Sequence, residues 1–378
     1  MMLHTRYSLA LLGLCAWFSF QVYGRPTHKP TTAGIHVSRQ FDSSDMYVNW
    51  PTYDELPRDP SFPTKAAWGV WGPKDELGAL NHITSATIEA AKEEIKEGIA
   101  ISMNLELEIP NPPMNPLRPE LIHAVIPFEG YQDDMISLNT QVSTQFDGLR
   151  HYPYSTAGNI STYQFYNDLI TFDDIVSPAR IKTLGIQNAA QKGIAGRGVL
   201  LDWAGWKESK NETFDAFSFF NITTSDLDSV ASWQNLPSNF TRPGDFLIIR
   251  SGFMKQYSLL PINQEQVLPF RAGDDAAWIG LEPNEETLRW IWEKKISLLG
   301  SDDPSIEPHP ENSVIGGVKR NLHQIFIGGW GMSLVEFLDL ETLAQTCHKL
   351  NRFTFFFTLQ NLNMAGGIAS PPNAMAIL

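Results

Sequence analysis

The chain has 378 residues, 43% of them hydrophobic, with 42 acidic against 28 basic side chains and a formal net charge of −14. That length and apolar content support a folded core without covalent staples, and no Gly/Ser linker, repeat or low-complexity block marks a second domain. The acidic balance and the lack of a basic cluster exclude nucleic acid as a partner, and no run beyond the N-terminus is long and apolar enough for a membrane span.

At the N-terminus, His4 and Arg6 precede an almost uninterrupted apolar run from Tyr7 to Phe20, followed by Val22, Tyr23 and Gly24. This pattern predicts a secretory signal peptide over residues 1–24, since the run falls short of the roughly 20 apolar residues a bilayer core needs. A secreted, extracellular protein is therefore expected. Its Asn-x-Ser/Thr sequons at Asn159, Asn211, Asn221 and Asn239 then become N-glycosylation acceptors on surface loops. Loss of Cys15 with the signal peptide leaves Cys347 alone, so no intramolecular disulfide can form; within "LAQTCHKL" it reads as a buried structural thiol.

Residues 25–60, rich in Pro, Thr, Ser and Asp, predict an extended N-terminal arm, and residues 61–378 a single catalytic domain. "SATIEAAKEEIKEG" sets Ile88, Ala91 and Ile95 at helical spacing, with Ser85 as N-cap and Gly98 as the stop. "GRGVLLDW" and "GDFLIIRSGF" are short apolar runs opened by glycine and predict buried strands. "NEETLRWIWEKKI" predicts a helix capped by Asn284, with Leu288, Ile291 and Trp292 on one face, and "SLLGSD" predicts the strand after it. Strands and helices interleave in an α/β chain, whose periodicity leaves open whether the sheet is open or closed.

Absences narrow the chemistry. The chain has no G-x-S-x-G elbow, no H-E-x-x-H, no Walker loop and no G-x-G-x-x-G after a strand, so no nucleotide cofactor is expected. The glycine clusters "GIAGRG" and "GGWGMS" lack a phosphate-binding spacing or context and are expected to form turns. Trp68, Trp71, Trp203, Trp206 and Trp330 read as core residues before they read as a ligand shelf, and His82, His123 and His309 have no placement from sequence. What remains is "QVSTQFDGLRH", where Asp147 stands four residues ahead of His151, with Gln141 and Gln145 before them. In a strand, positions 141, 143, 145 and 147 would share one face. The residues alone allow either a metal or acid/base site or a structural Asp–His hydrogen bond beside a turn at Gly148.

This run resembles the motif H-x-G-T-H-x-D-x-P-x-H of the cyclase superfamily, which includes bacterial kynurenine formamidases and isatin hydrolases. "AAWGVWGPKDELGALNHIT" is similar to the opening segment of the longer, fungal-type members. "RGVLLD", "GDFLIIRSGF", "LLGSDDPSIE", "LHQIFIGGWGMSLVEFLDL" and "FTLQNLNMAGGIASPPNAMAIL" then follow in the family's order, so the resemblance spans roughly Trp68 to Leu378.

The resemblance implies an α/β single domain of the cyclase/kynurenine formamidase-like type, with a mixed or barrel-like β core and surrounding helices. It sets Gln141 and Gln145 where the family carries its first two motif histidines, and Asp147 and His151 at the motif aspartate and last histidine. His323 and Glu336 match the downstream histidine and glutamate that sit near the family's metal. On that match, one divalent metal (Mn, Mg or Zn) would be held by Asp147, Gln145, Gln141 and His323, with His151, Glu336 and Asp147 as the catalytic groups. Carboxamide oxygens are weak, hard ligands, so the two glutamines favour an oxygen-rich site over tight zinc binding.

The implied activity is metal-assisted hydrolysis of a cyclic or formyl amide, or of a lactone, of an aromatic or polyketide-like molecule. A small-molecule substrate is thus the expected partner, beside a homo-oligomer of the kind family members often form. Two alternatives stand: a metal-independent cyclase, isomerase or dehydratase of secondary metabolism using His151 with Asp147 or Glu336, and a non-catalytic secreted binder of an aromatic ligand.

Overall fold

The computed structural model describes residues 47–155, 163–311 and 313–378. The signal peptide expected over residues 1–24, the arm as far as residue 46 and the Asn159 sequon lie outside the described residues. No helix among the described residues is long and apolar enough to cross a membrane.

One mixed sheet organises the domain. In chain order its strands are β1 (Ala100–Ser102), β2 (Gln145–Asp147), β3 (Ile194–Leu201), β4 (Phe246–Ile249), β5 (Leu298–Ser301), β6 (Leu334–Glu336), β7 (Thr354–Gln360), β8 (Ala369–Ser370) and β9 (Asn373–Ile377). In space they run β1-β9-β7-β3-β4-β5-β6-β2-β8. The central strands β3, β4, β5 and β6 are mutually parallel, and both flanks are antiparallel. The sheet curls into a half-barrel whose edges, β1 and β8, do not meet. This decides the question of closure that periodicity left open.

The apolar runs of β3 to β5 follow from burial on both faces. Val199, Leu201, Leu247, Ile249 and Leu299 enter one hydrophobic cluster, while the alternating Leu200, Phe246, Ile248 and Leu298 enter another. Helices α1 (Thr224–Trp233) and α2 (Glu285–Lys294) cover the first face through Leu227, Val230, Leu288 and Ile291. Helix α3 (Glu341–Leu350) covers the second through Leu343, Ala344 and the buried free thiol Cys347. The Asn284 side chain caps α2 as expected, accepting from the Thr287 N–H at 2.8 Å.

Several expectations need correction. The helix in "SATIEAAKEEIKEG" spans Ser85–Ala91 and is capped by Thr84, which accepts from the Thr87 N–H at 3.2 Å in a reciprocal capping box; Lys92–Glu94 then tightens into a 3-10 turn well before Gly98. "GIAGRG" is not a turn but runs into β3, because its glycines make room for aromatic rings. A Cβ at Gly196 would lie 2.9 Å from the Phe246 ring, and one at Gly198 would lie 2.3 Å from the Phe355 ring. "GGWGMS" closes a π-helical turn, Gln324–Gly329, that leads into β6.

Residues 47–60 are not an extended arm. Tyr53 is fully buried in the first cluster, and the Trp292 indole donates to the Pro51 carbonyl at 2.8 Å. Asn221, expected on a loop, lies half-buried in the short strand Phe220–Ile222, with its amide on Glu282 at 3.3 Å, whereas Asn211 and Asn239 are exposed. Trp68, Trp203, Trp206 and Trp330 are buried in the core, and Trp71 packs against it half-buried. His123 lies on an exposed hairpin, Ile122–Phe128 with Tyr131–Ser137, paired with Asp134.

A buried ionic network ties β3, β4 and α3 together: Arg250 meets Asp202 at 2.7 Å and clasps Glu341 at 2.7 and 2.8 Å. Removing the cation strands two carboxylates, one of them fully desolvated, so Arg250→Met should lower the unfolding free energy by about 3–5 kcal/mol. Urea unfolding followed by fluorescence checks this, and an unchanged midpoint would show the network to be dispensable.

Candidate active site

The site begins with a cross-strand pair. β2 runs antiparallel to β6 with Gln145 opposite Glu336, Phe146 opposite Val335 and Asp147 opposite Leu334. Side chains alternate across a sheet, so Phe146 and Val335 turn into the second hydrophobic cluster while Gln145, Asp147 and Glu336 share the other face. The Gln145 amide accordingly donates to Glu336 Oε2. Only Gln145–Asp147 is strand, so the shared face expected for positions 141 to 147 is cut short. Gln141, in the preceding turn, still reaches the site and donates from Nε2 to Asp147 Oδ1 at 2.7 Å.

His151 follows through a tight turn in which its N–H donates to the Gly148 carbonyl at 2.9 Å. Its Nε2 lies 3.7 Å from Asp147 Oδ2, and its side chain is 20% exposed against 0% for Asp147. His323, just ahead of the π-helical turn, is the second imidazole. Its Nδ1 lies 2.8 Å from Glu307 Oε1, while its Nε2 lies 3.0 Å from Glu336 Oε1 and 3.7 Å from Asp147 Oδ2. Glu336 Oε1 also accepts from the Ile306 N–H at 3.2 Å.

Burial and neighbouring charge set the protonation states. Burial pushes the Asp147 carboxyl above the usual carboxylate range, against the pull of His151 and His323. Burial likewise holds His151 below the usual imidazole range, although Asp147 opposes it. Burial also works against charge on His323, yet the Glu307 and Glu336 carboxylates outweigh it and hold that imidazole protonated well above its ordinary value.

All six positions suggested by sequence therefore converge, but in a different grouping from the one expected. The potential metal ligands that come within 4.8 Å of one another are Asp147, His151 and His323. His151, expected as an acid/base group, joins that set, while Gln141 and Gln145 spend their N–H donors on carboxylates. The Oε1 atoms of both glutamines and Oδ2 of Asp147 are buried without a hydrogen-bond partner. Sequence reasoning missed Glu307, although "LLGSDDPSIE" contains it; an acid after a strand's carboxyl end was the one available signal. Asp303, in the same loop, is also buried, with its carboxyl pushed up by burial and then by Asp302.

A buried carboxylate–imidazole–carboxylate constellation on a curled mixed sheet defines a hydrolase- or cyclase-type enzyme. The family described as "Putative cyclase" matches residues 80–308, and the chain belongs to it. A solved structure of a novel cyclase is 27% identical with a TM-score of 0.69, covering 83% of this chain and 99% of its own. Isatin hydrolase A from Ralstonia solanacearum shares the fold at 14% identity and a TM-score of 0.51, over 76% of this chain and 93% of its own. No curated protein matches the chain at a significant level. Membership makes the chain an enzyme of the cyclase or hydrolase type.

The raised pKa of His323 has a testable sign. Its contribution to stability is complete below the unfolded imidazole pKa of about 6.5 and is lost as pH rises through the higher folded value. In chelator-treated protein, Glu307→Gln should therefore lower the melting temperature most at pH 6, with the gap to wild type narrowing as pH rises. A gap that is constant or widens with pH in thermal melts would contradict the assignment.

Proposed function

We propose that the protein is a secreted hydrolase that opens a cyclic or formyl amide, or a lactone, of an aromatic or polyketide-like small molecule, with one divalent cation. The supporting observation is Asp147 Oδ2, which is buried, unpartnered and 3.7 Å from Nε2 of both His151 and His323. These distances exceed a hydrogen bond, and a buried carboxylate oxygen without a partner is costly. The geometry thus fits a cation better than a metal-free Asp–His dyad. Asp147, His151 and His323 would hold it, and the unpaired oxygens of Gln141 and Gln145 add donors to the cavity. Two imidazoles with a carboxylate favour Mn²⁺ or Zn²⁺ over Mg²⁺, which reverses the expectation drawn from the glutamines alone.

Such an ion, when bound, polarises the carbonyl and lowers the pKa of water. Glu307 accepts from His323 Nδ1, so that to hold a cation His323 would give up the proton on Nε2, which lies 3.0 Å from Glu336 and 3.7 Å from Asp147, while Nδ1 keeps its own. Burial holds His151 below the usual imidazole range, which favours the neutral form that a cation site needs. Glu336 is held by the Gln145 amide and the Ile306 N–H beside that set, and acts as general base and acid. It accepts the proton of the attacking water as the carbon–oxygen bond forms, and returns it to the departing nitrogen or oxygen as that atom's bond to the carbonyl carbon breaks. His151, the most exposed of the group, marks the side from which substrate enters.

Plasma mass spectrometry of dialysed protein should find near-stoichiometric divalent metal in the wild type and none in Asp147→Ala; metal in neither would sink the hydrolytic reading. Glu336→Gln should lower kcat by about 10²–10⁴-fold with metal content unchanged. Wild-type turnover in that variant would remove Glu336 from the proton path.

A further inference from the structure

Arg118 lies in the loop between β1 and the exposed hairpin and is half-buried. Its Nη1 donates to the Gln141 backbone carbonyl at 2.6 Å, and the side chain of Gln141 is the one that holds Asp147. Arg118 therefore stands beside the catalytic cluster, where its charge acts on Asp147, Glu336 and His151. Among the described residues this is the one hydrogen bond of its guanidinium, and no carboxylate lies within ion-pair distance of it.

Most other buried or half-buried arginines of this protein are treated differently; Arg352, beyond the end of α3, is the exception, with Nε and Nη2 buried and unpartnered, so what sets Arg118 apart is its place beside the site. Arg197 is paired with Glu94 and Asp245, and Arg250 with Asp202 and Glu341. Arg150 and Arg271 have no such acid, but each places three guanidinium N–H groups on backbone carbonyls. Arg118 has neither arrangement. A guanidinium carries five N–H donors in a fixed fork, and withdrawing it from water without a counter-ion costs free energy that a partner would recover. The edge formed by Nε and Nη2, which no described residue uses, is the geometry that receives a carboxylate through two parallel bonds.

We propose that Arg118 is the specificity-determining residue of this site and that the substrate carries a carboxylate, which binds the free Nε and Nη2 edge of the guanidinium. The inference deepens the hydrolytic reading and rests on it only for the nature of the bond that is broken. The carboxylate supplies the counter-ion that the protein withholds. It also orients the scissile carbonyl towards Asp147 and Glu336, because Arg118 is tied to the same Gln141 that positions Asp147.

The test separates recognition from turnover. Calorimetry on the metal-loaded protein compares 2-aminobenzoate with 2-aminobenzamide, and steady-state kinetics compares 2-(formylamino)benzoate with its methyl ester. Wild type should favour each acid over its neutral analogue by about tenfold or more, the size of a charge-assisted pair. Arg118→Gln, which keeps a neutral donor near the Gln141 carbonyl, should abolish the preference by weakening binding and raising KM for the acids alone. Arg118→Lys should retain part of it. Any direct contact of the probe with metal survives in Arg118→Gln, so a preference that persists there at wild-type strength overturns the proposal, as does a wild type that shows none. If Arg118→Gln does not fold, Arg118→Lys decides: selective weakening for the acid supports the inference, and no change overturns it. If wild type cleaves neither formamide, the formyl-amide form of the hydrolytic reading fails by itself and the binding data still decide the role of Arg118.

Discussion

The register between β2 and β6 is the constraint on which the rest depends. It sets Gln145 opposite Glu336 and keeps Asp147 on the same face, while Phe146 and Val335 drop into an apolar cluster behind them. A slip of β2 by one residue would exchange its two faces, burying Asp147 and Gln145 in hydrocarbon and exposing a phenyl ring in the site. The hydrophobic effect on one side of the strand pair thus aligns the polar groups on the other. The geometry of the site is inherited from packing.

Charge is the second theme. Asp147, Asp303, Glu307 and Glu336 are all buried around one imidazole held protonated and a second whose pKa burial lowers. Acids gathered so closely repel one another unless donors or cations share the space. The two glutamines contribute here in a way that ligating imidazoles would not. Each gives an N–H to a carboxylate, on Asp147 and on Glu336, without titrating. Each also keeps a carbonyl oxygen turned inward and unpaired. The two glutamines thus act as neutral clamps on the carboxylates.

The cyclase scaffold explains where these groups originate. The loop after the carboxyl end of β5 supplies Asp303 and Glu307, in keeping with the tendency of parallel α/β sheets to place their chemistry beyond the carboxyl ends of strands. The last parallel strand, β6, supplies Glu336 and the antiparallel β2 beside it supplies Gln145 and Asp147, so the site straddles the border between the parallel centre and its antiparallel flank. A family resemblance at the level of fold still leaves substrate choice to individual residues. Arg118 is one such residue, contributed by a loop and not by the sheet.

Local features could be read from the chain itself, because they depend on neighbours within a few positions: the cap at Asn284, the apolar strands β3 to β5, the lone thiol in α3, and the proximity of Asp147 to His151. The family likeness added His323 and Glu336. What sequence could not supply was pairing at long range. Gln145 and Glu336 are 191 positions apart and meet because two strands pair in one register; Glu307 and His323 are 16 apart and meet because a loop folds back over the sheet. The same gap between local and distant information misled the reading of "GIAGRG", whose glycines answer to phenyl rings from other strands and not to a turn. Composition and periodicity determined which residues are apolar, which cap a helix and which can carry a proton. Only tertiary structure decided which acid faces which imidazole, since that choice rests on contacts between segments whose separation along the chain carries no signal.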